Sequence, residues 1–199
     1  MCSPGTCVVP GDFQKSDEYH LRNSVWGVIL KNTLKKGGRN MHRISKENYY
    51  LDIAETVLKR ATCLRRCYGA ILVKSDEIIA TGYNGAPRGR RNCVDLNYCT
   101  REALNIPSGQ RYELCRSVHA EANAIISAAR SETIGATLYM ACVDPATGEL
   151  IAGSTSCSMC RRLIINAGIQ RVVIRNTKTD YSVVHVEDWI REDDSLPQT

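Results

Sequence analysis

The 199-residue chain has no apolar run approaching the roughly 20 residues that cross a bilayer, which excludes a helical membrane-spanning protein. Its first fifteen residues lack the charged-then-apolar pattern of a secretory signal, so a cytoplasmic location is expected. Aromatic residues are scarce, at 6% with a single Phe, and there are only four histidines: His20, His42, His119 and His185. Strong charge of one sign is also missing. Net charge is +5, and residues 1–40 hold six basic against three acidic side chains, which leaves +2 for the rest. So mild a balance with so few aromatics argues against a groove that neutralises phosphates and stacks bases, and a nucleic-acid partner is not expected.

Cysteine, by contrast, is plentiful. Ten in a chain with no export signal argue for metal ligation rather than a disulfide scaffold. Apolar residues at 43% and charged residues at 24% are a globular composition. The length fits one domain, or one domain with a tail.

Residues 1–44 read as a leader without sustained apolar period, broken by Pro4 and Pro10. The run Lys35-Lys36-Gly37-Gly38-Arg39-Asn40 before Met41 is what a purine-rich ribosome-binding sequence encodes when read through. Met41 is therefore a candidate start, with residues 1–40 an over-extended reading. The other reading is a genuine disordered leader.

Residues 45–199 carry regular patterns. Ser45 is a candidate N-cap before Tyr50, Ile53, Ala54, Val57, Leu58 and Ala61 at helical spacing. Tyr68–Val73 and Ile78–Gly82 read as a hairpin turning at Ser75-Asp76-Glu77. A long loop insertion follows, at about 83–118, and its length makes it functional or separately stapled. Ala120–Arg130 reads as a helix, Ala136–Val143 as a strand, and Cys157–Ala167 as a helix stopped by Gly168. Arg171–Arg175 is a strand, a short strand lies near Val183-Val184, and a helical tail spans Val186–Ile190. The order α-β-β-α-β-α-β implies a mixed α/β sheet covered on both faces, with the late β-α-β unit parallel.

His119-Ala120-Glu121 opens one of these helices and Cys157-Ser158-Met159-Cys160 opens another. A C-x-x-C at a helix start points both sulfurs the same way, where unpaired N–H groups favour thiolates. One imidazole completes a Cys₂His set, and three protein ligands leave the fourth position of a zinc ion open, the catalytic arrangement. Zinc lowers the pKa of a water toward neutrality. Glu121 beside it can take that proton and deliver it to a ring nitrogen and to departing ammonia. H-x-E with a distant C-x-x-C is the signature of zinc nucleobase deaminases. A lone C-x-x-C could instead be a redox pair, and a lone His a packed core residue. The conjunction of both motifs with the β-α-β unit favours the metal.

Over about Asn48–Trp189 the chain resembles the cytidine/deoxycytidylate deaminase superfamily, and within it the dCMP deaminase branch. His119–Ala124 matches the first zinc motif. Thr81–Gly89, read T-G-Y-N-G-A-P-R-G, matches the branch's loop, and Thr62–Arg66 followed by Gly69-Ala70 matches the segment entering the first strand. One departure is Ser156, where the family usually has Pro before C-x-x-C; serine is a good N-cap, so the helix start survives.

The resemblance implies a three-layer α-β-α cytidine-deaminase-like fold with a mixed sheet of about five strands. It implies zinc-dependent conversion of dCMP to dUMP and ammonia, with Glu121 catalytic and His119, Cys157 and Cys160 on the metal. It places the deoxyribose at Asn84 and the phosphate among basic groups, for which Arg65 and Arg66 are the candidates. Asn84 precedes Gly85, so backbone shape alone is the other account of it, and the two arginines also fit a solvated surface. Cys63, Cys93, Cys99 and Cys115 are the candidates for a second, structural zinc, with Cys67 as a replacement for one of them; buried small residues or free thiols are the alternative. Cys142 reads as core. Family members are commonly homo-oligomers, often hexamers, and some respond to dCTP with Mg²⁺ and to dTTP. The implied partner is a small pyrimidine nucleotide.

Three rivals stand beside this reading. One is a deaminase of bases within nucleic acid, which the charge and aromatic content disfavour. Another takes a different cytosine nucleoside or nucleotide, which the motifs barely distinguish. The third is a non-catalytic zinc module of the competence or interaction type, which has no use for Glu121. Riboflavin-pathway deaminases share H-A-E but space their cysteines more widely than Cys157 and Cys160.

Overall fold

A computed structural model describes residues 43–192. The candidate start Met41, the leader before it, and Cys2 and Cys7 lie outside the described residues.

The first helix, α1 (Lys46–Leu58), starts at Ser45, whose Oγ accepts from the Asn48 amide at 3.2 Å. It stops at Leu58, before Ala61. Strands β1 (Cys67–Lys74) and β2 (Glu77–Tyr83) form the expected hairpin. The turn is tighter than the sequence suggests. Ser75 and Asp76 both have positive φ, the two-residue type I′ geometry that matches strand twist, and Glu77 already belongs to β2.

The insertion is not structureless. It holds two single-turn helices, α2 (Cys93–Leu96) and α3 (Thr100–Ala103), and a 3₁₀ turn at Tyr112–Leu114. Nη2 of Arg101 donates to the carbonyls of Pro107 and Gln110, each at 2.7 Å, and fastens the loop from within.

The expected helix over 120–130 is two pieces, α4 (Ala120–Ile126) and α5 (Arg130–Thr133). Ser127 Oγ donates back to the Asn123 carbonyl at 2.8 Å, and the Glu132 carboxylate accepts from the Ala129 amide at 2.9 Å. These local bonds end one helix and begin the next. Then come β3 (Thr137–Val143), α6 (Ser158–Ala167), β4 (Arg171–Arg175), β5 (Tyr181–His185) and α7 (Val186–Arg191). As expected, α6 ends at Gly168, with φ 75°. Its N-cap, however, is Cys157 and not Ser156. The Ser156 hydroxyl is buried and lies 3.6 Å from Met140 Sδ instead.

The five strands are ordered β2-β1-β3-β4-β5. β1 is antiparallel to both neighbours, β3 and β4 are parallel, and β5 returns antiparallel. Alternation along the strands sends side chains to two cores. Ile71, Val73, Tyr139, Ala141 and Val173 meet Leu51, Ala54 and Leu58 of α1. Ala70, Leu72, Leu138, Met140 and Val172 meet α4, α6 and α7 through Ala120, Ala124, Ile164, Ala167 and Val186. Covering both faces explains why β1, β3 and β4 read as continuous apolar runs. Cys142, read as core, is fully buried.

Two glycines set how closely the helices approach. A Cβ on Gly69 would sit 2.2 Å from the Ala54 carbonyl of α1, and one on Gly82 would sit 2.2 Å from the Ala120 carbonyl of α4. Arg175, at the end of β4, is 0% exposed and ties the sheet to α1 through Asp52, Glu55 and Asn48. Among the described residues no helix is long and apolar enough to cross a membrane.

Candidate active site

The starts of α4 and α6 lie side by side. His119 is the N-cap of α4 and Cys157 the N-cap of α6, and neither uses its side chain for capping. His119 Nδ1 lies 3.4 Å from Cys157 Sγ and 3.4 Å from Cys160 Sγ. Among the described residues these three form the one group of His, Cys, Asp or Glu with ligand atoms within 4.8 Å of one another. A tetrahedral zinc with ordinary Zn–N and Zn–S bonds separates nitrogen from sulfur by about 3.5 Å, so the donor set fits that ion.

Glu121 is buried, at 4% exposure, one residue into α4 beyond Ala120. Burial raises its carboxyl above the ordinary range, while its backbone hydrogen bond, His119 and the Ser156 hydroxyl oppose the shift. A carboxyl so placed exchanges a proton more readily near neutral pH than a solvated one. Cys157 moves the other way. The hydrogen bond from Cys160 pulls its thiol below the ordinary range, against burial, and His119 adds to the effect. Burial alone would lower the imidazole of His119, but hydrogen bonds with Cys115 and Cys157 carry it up to about 10.

His119, Glu121 and Cys157 line a cavity of about 200 Å³ that reaches into the insertion. Asn84 and Tyr68 line it too. The Asn84 side chain accepts from the Tyr68 amide and donates to the Arg66 carbonyl, both at 2.8 Å. An amide group has two donors and two acceptor sites, so one of each is left over. Its φ is not positive, so turn geometry does not account for it. Burial raises the Tyr68 phenol, which hydrogen-bonds Cys142 and Ser154.

Both arginine candidates reach the cavity. Arg65 pairs with Glu102 at 3.5 Å, and its Nη1 is buried without a hydrogen-bond partner among the described residues. Arg66 is half-exposed and pairs with Asp144 at 3.0 Å. Sequence reasoning missed Arg101. It is only 6% exposed, lines the cavity, and has a buried Nε without a partner among the described residues. Nothing local in the sequence marks it, because its burial depends on how the insertion folds back.

Cys63, Cys93, Cys99 and Cys115 also line this cavity. They are free, and their sulfurs do not form a group of the compactness seen at His119. The Cys63 sulfur accepts from the Arg65 amide at 3.4 Å, and Cys115 hydrogen-bonds the His119 ring. Cys67 donates to the Cys63 carbonyl at 3.7 Å.

Residues 44–176 match the family model of the cytidine and deoxycytidylate deaminase zinc-binding region. The chain belongs to this family. It is 38% identical over 138 residues to a deoxycytidylate deaminase of Mycobacterium phage D29, taking in 67% of this chain and 96% of that one. It is 30% identical over 158 residues to a deoxycytidylate deaminase of Schizosaccharomyces pombe, with 79% of this chain matched; the match spans 45% of that longer relative. Among solved structures, the dCMP deaminase of cyanophage S-TIM5 in apo form is similar, with 28% identity and a TM-score of 0.46 over 65% of this chain and 82% of that one.

Proposed function

We propose that the chain is a zinc-dependent hydrolase that converts dCMP and water to dUMP and ammonia. The observation that carries this reading is the buried Glu121 beside the His119, Cys157 and Cys160 ligand atoms, at the floor of a cavity walled by arginines. A zinc ion held by those three side chains supplies Lewis acidity, which lowers the pKa of water at the site. Glu121 removes a proton from the attacking water and returns it to the pyrimidine ring nitrogen. A second proton passes through the same carboxyl to the departing amino group, which leaves as ammonia.

The arginines favour a nucleotide over a free nucleoside. Arg65 and Arg101 present guanidinium nitrogens that are buried and unpartnered among the described residues, a costly arrangement unless an anion completes it. A 5′-phosphate is such an anion, and Asn84 has the donor and acceptor needed for a sugar hydroxyl. The name of the phage D29 relative points to the same substrate.

The finer parts of this reading come from the resemblance. They are a homo-oligomer, hexameric in form, a cytoplasmic setting, and control by dCTP with Mg²⁺ and by dTTP. A second, structural zinc on Cys63, Cys93, Cys99 and Cys115 belongs here too, with Cys67 as a replacement for one of them. Two zinc ions per chain support that site and one removes it.

The test is an ammonia-release screen over cytidine, deoxycytidine, dCMP, dCDP and dCTP, with and without added dCTP and dTTP. The reading expects dCMP to lead. No release from any of the five would refute it.

A further inference from the structure

The insertion touches the metal-ligand histidine directly. We propose that Tyr112 is a positioning residue for His119, held in place by Arg101. The inference rests on the reading of His119 as a zinc ligand.

The Tyr112 and His119 rings stand at 90° with centroids 4.9 Å apart, the edge-to-face arrangement that aromatic quadrupoles prefer. The His119 backbone is fixed as the N-cap of α4, at φ −73° and ψ 157°, but that alone leaves the imidazole free to rotate about its own bond. Rotation decides whether Nδ1 faces Cys157 and Cys160, which it meets at 3.4 Å each. A perpendicular ring against the imidazole restricts that rotation.

Tyr112 is itself fastened. The guanidinium carbon of Arg101 lies 4.3 Å from the Tyr112 ring centroid. Arg101 is 6% exposed, and its two hydrogen bonds to Pro107 and Gln110 lock the run of chain that leads into the 3₁₀ turn carrying Tyr112. At the other end of that turn, Cys115 hydrogen-bonds the His119 ring. The insertion therefore grips the ligand twice, once by a ring and once by a thiol. Groups that orient a metal-binding histidine are part of the metal site, and losing one typically weakens metal affinity by about 10–100-fold.

The experiment compares zinc-loaded wild type, Tyr112→Leu and Tyr112→Phe by competition with a chromogenic chelator, and by the visible absorption of the Co²⁺-substituted proteins. Tyr112→Leu is expected to hold zinc about 10–100-fold more weakly and to shift the Co²⁺ bands, while Tyr112→Phe, which keeps the ring, behaves as wild type. Unchanged zinc affinity and Co²⁺ bands in Tyr112→Leu would overturn the inference, whatever its melting temperature. So would equal weakening in Tyr112→Phe. Should Tyr112→Leu not fold, Arg101→Lys takes its place, because lysine keeps the charge but loses the planar stack and the forked donors. It is expected to weaken zinc binding in the same direction, and wild-type affinity there would count against the brace. Wild type that holds no zinc would instead overturn the metal reading itself.

Discussion

Gly82 of β2 lies so close to α4 that a Cβ there would stand 2.2 Å from the Ala120 carbonyl and 2.4 Å from the Ala124 amide. Ala120 sits between His119 and Glu121. The missing side chain thus lets the helix that carries His119 and Glu121 settle onto the sheet. Gly82→Ala must push that helix away, because both opposing atoms are backbone. Overpacking of this kind costs about 1–3 kcal/mol. Gly69→Ala makes a matching clash with α1 on the opposite face. Both variants are expected to melt earlier, and only Gly82→Ala is expected to weaken zinc binding as well. Unfolding curves and zinc titrations of the two check this.

The motif residues were legible because their geometry is local. His119 and Glu121 share one helix start and Cys157 and Cys160 another, so spacing alone aligns each pair. The parallel pairing of β3 with β4 also followed from pattern, since a β-α-β unit crosses over to a parallel neighbour. Arg101 and Tyr112 were not legible. Their contact with each other and with His119 arises across an insertion with no period to read. The break after Ile126 was missed for a different reason. Apolar spacing continues through Ala128 and Ala129, but the Ser127 hydroxyl and the Glu132 carboxylate divert the backbone. Ser156 was read as a cap, yet its burial against Met140 gives its hydroxyl other company.

Arg65 and Arg101 should separate nucleotide from nucleoside. Losing one hydrogen bond to a charged group costs about 2 kcal/mol, or roughly thirtyfold. Arg65→Gln is therefore expected to lower the ratio of kcat/KM for dCMP to that for deoxycytidine by about thirtyfold. Steady-state kinetics on both substrates measure it, and an unchanged ratio would remove Arg65 from the phosphate site.

Cys157 offers a chemical signature of the metal-free site. The hydrogen bond from Cys160 pulls its thiol below the ordinary range, so more of it is thiolate at pH 6 than of an ordinary thiol. Iodoacetamide at pH 6 should label Cys157 ahead of the buried Cys93 and Cys142, whose thiols burial raises. Labelling should fade as the pH is lowered further. Added zinc should protect the residue. Peptide mapping reads all of these outcomes.

The link between sheet and α1 carries its own prediction. Glu55 lies 2.8 Å from Arg175 Nε and also pairs with Lys178, while Asp52 provides a second carboxylate to Arg175. Glu55→Ala leaves a fully buried guanidinium with half its counter-charge. Breaking a buried pair costs about 3–5 kcal/mol, and the remaining Asp52 sets the expectation at the low end, about 3 kcal/mol. Denaturant unfolding gives the number. Zinc binding should be unaffected, since Glu55 lies on the face opposite α4.

The central claim is that one buried carboxyl moves protons beside a three-ligand zinc site. Glu121→Gln tests it most directly, with zinc content and dCMP-dependent ammonia release measured on the same sample. Zinc should stay at the wild-type level while turnover drops by about 10²–10⁴-fold. Undiminished turnover in that variant would contradict the account.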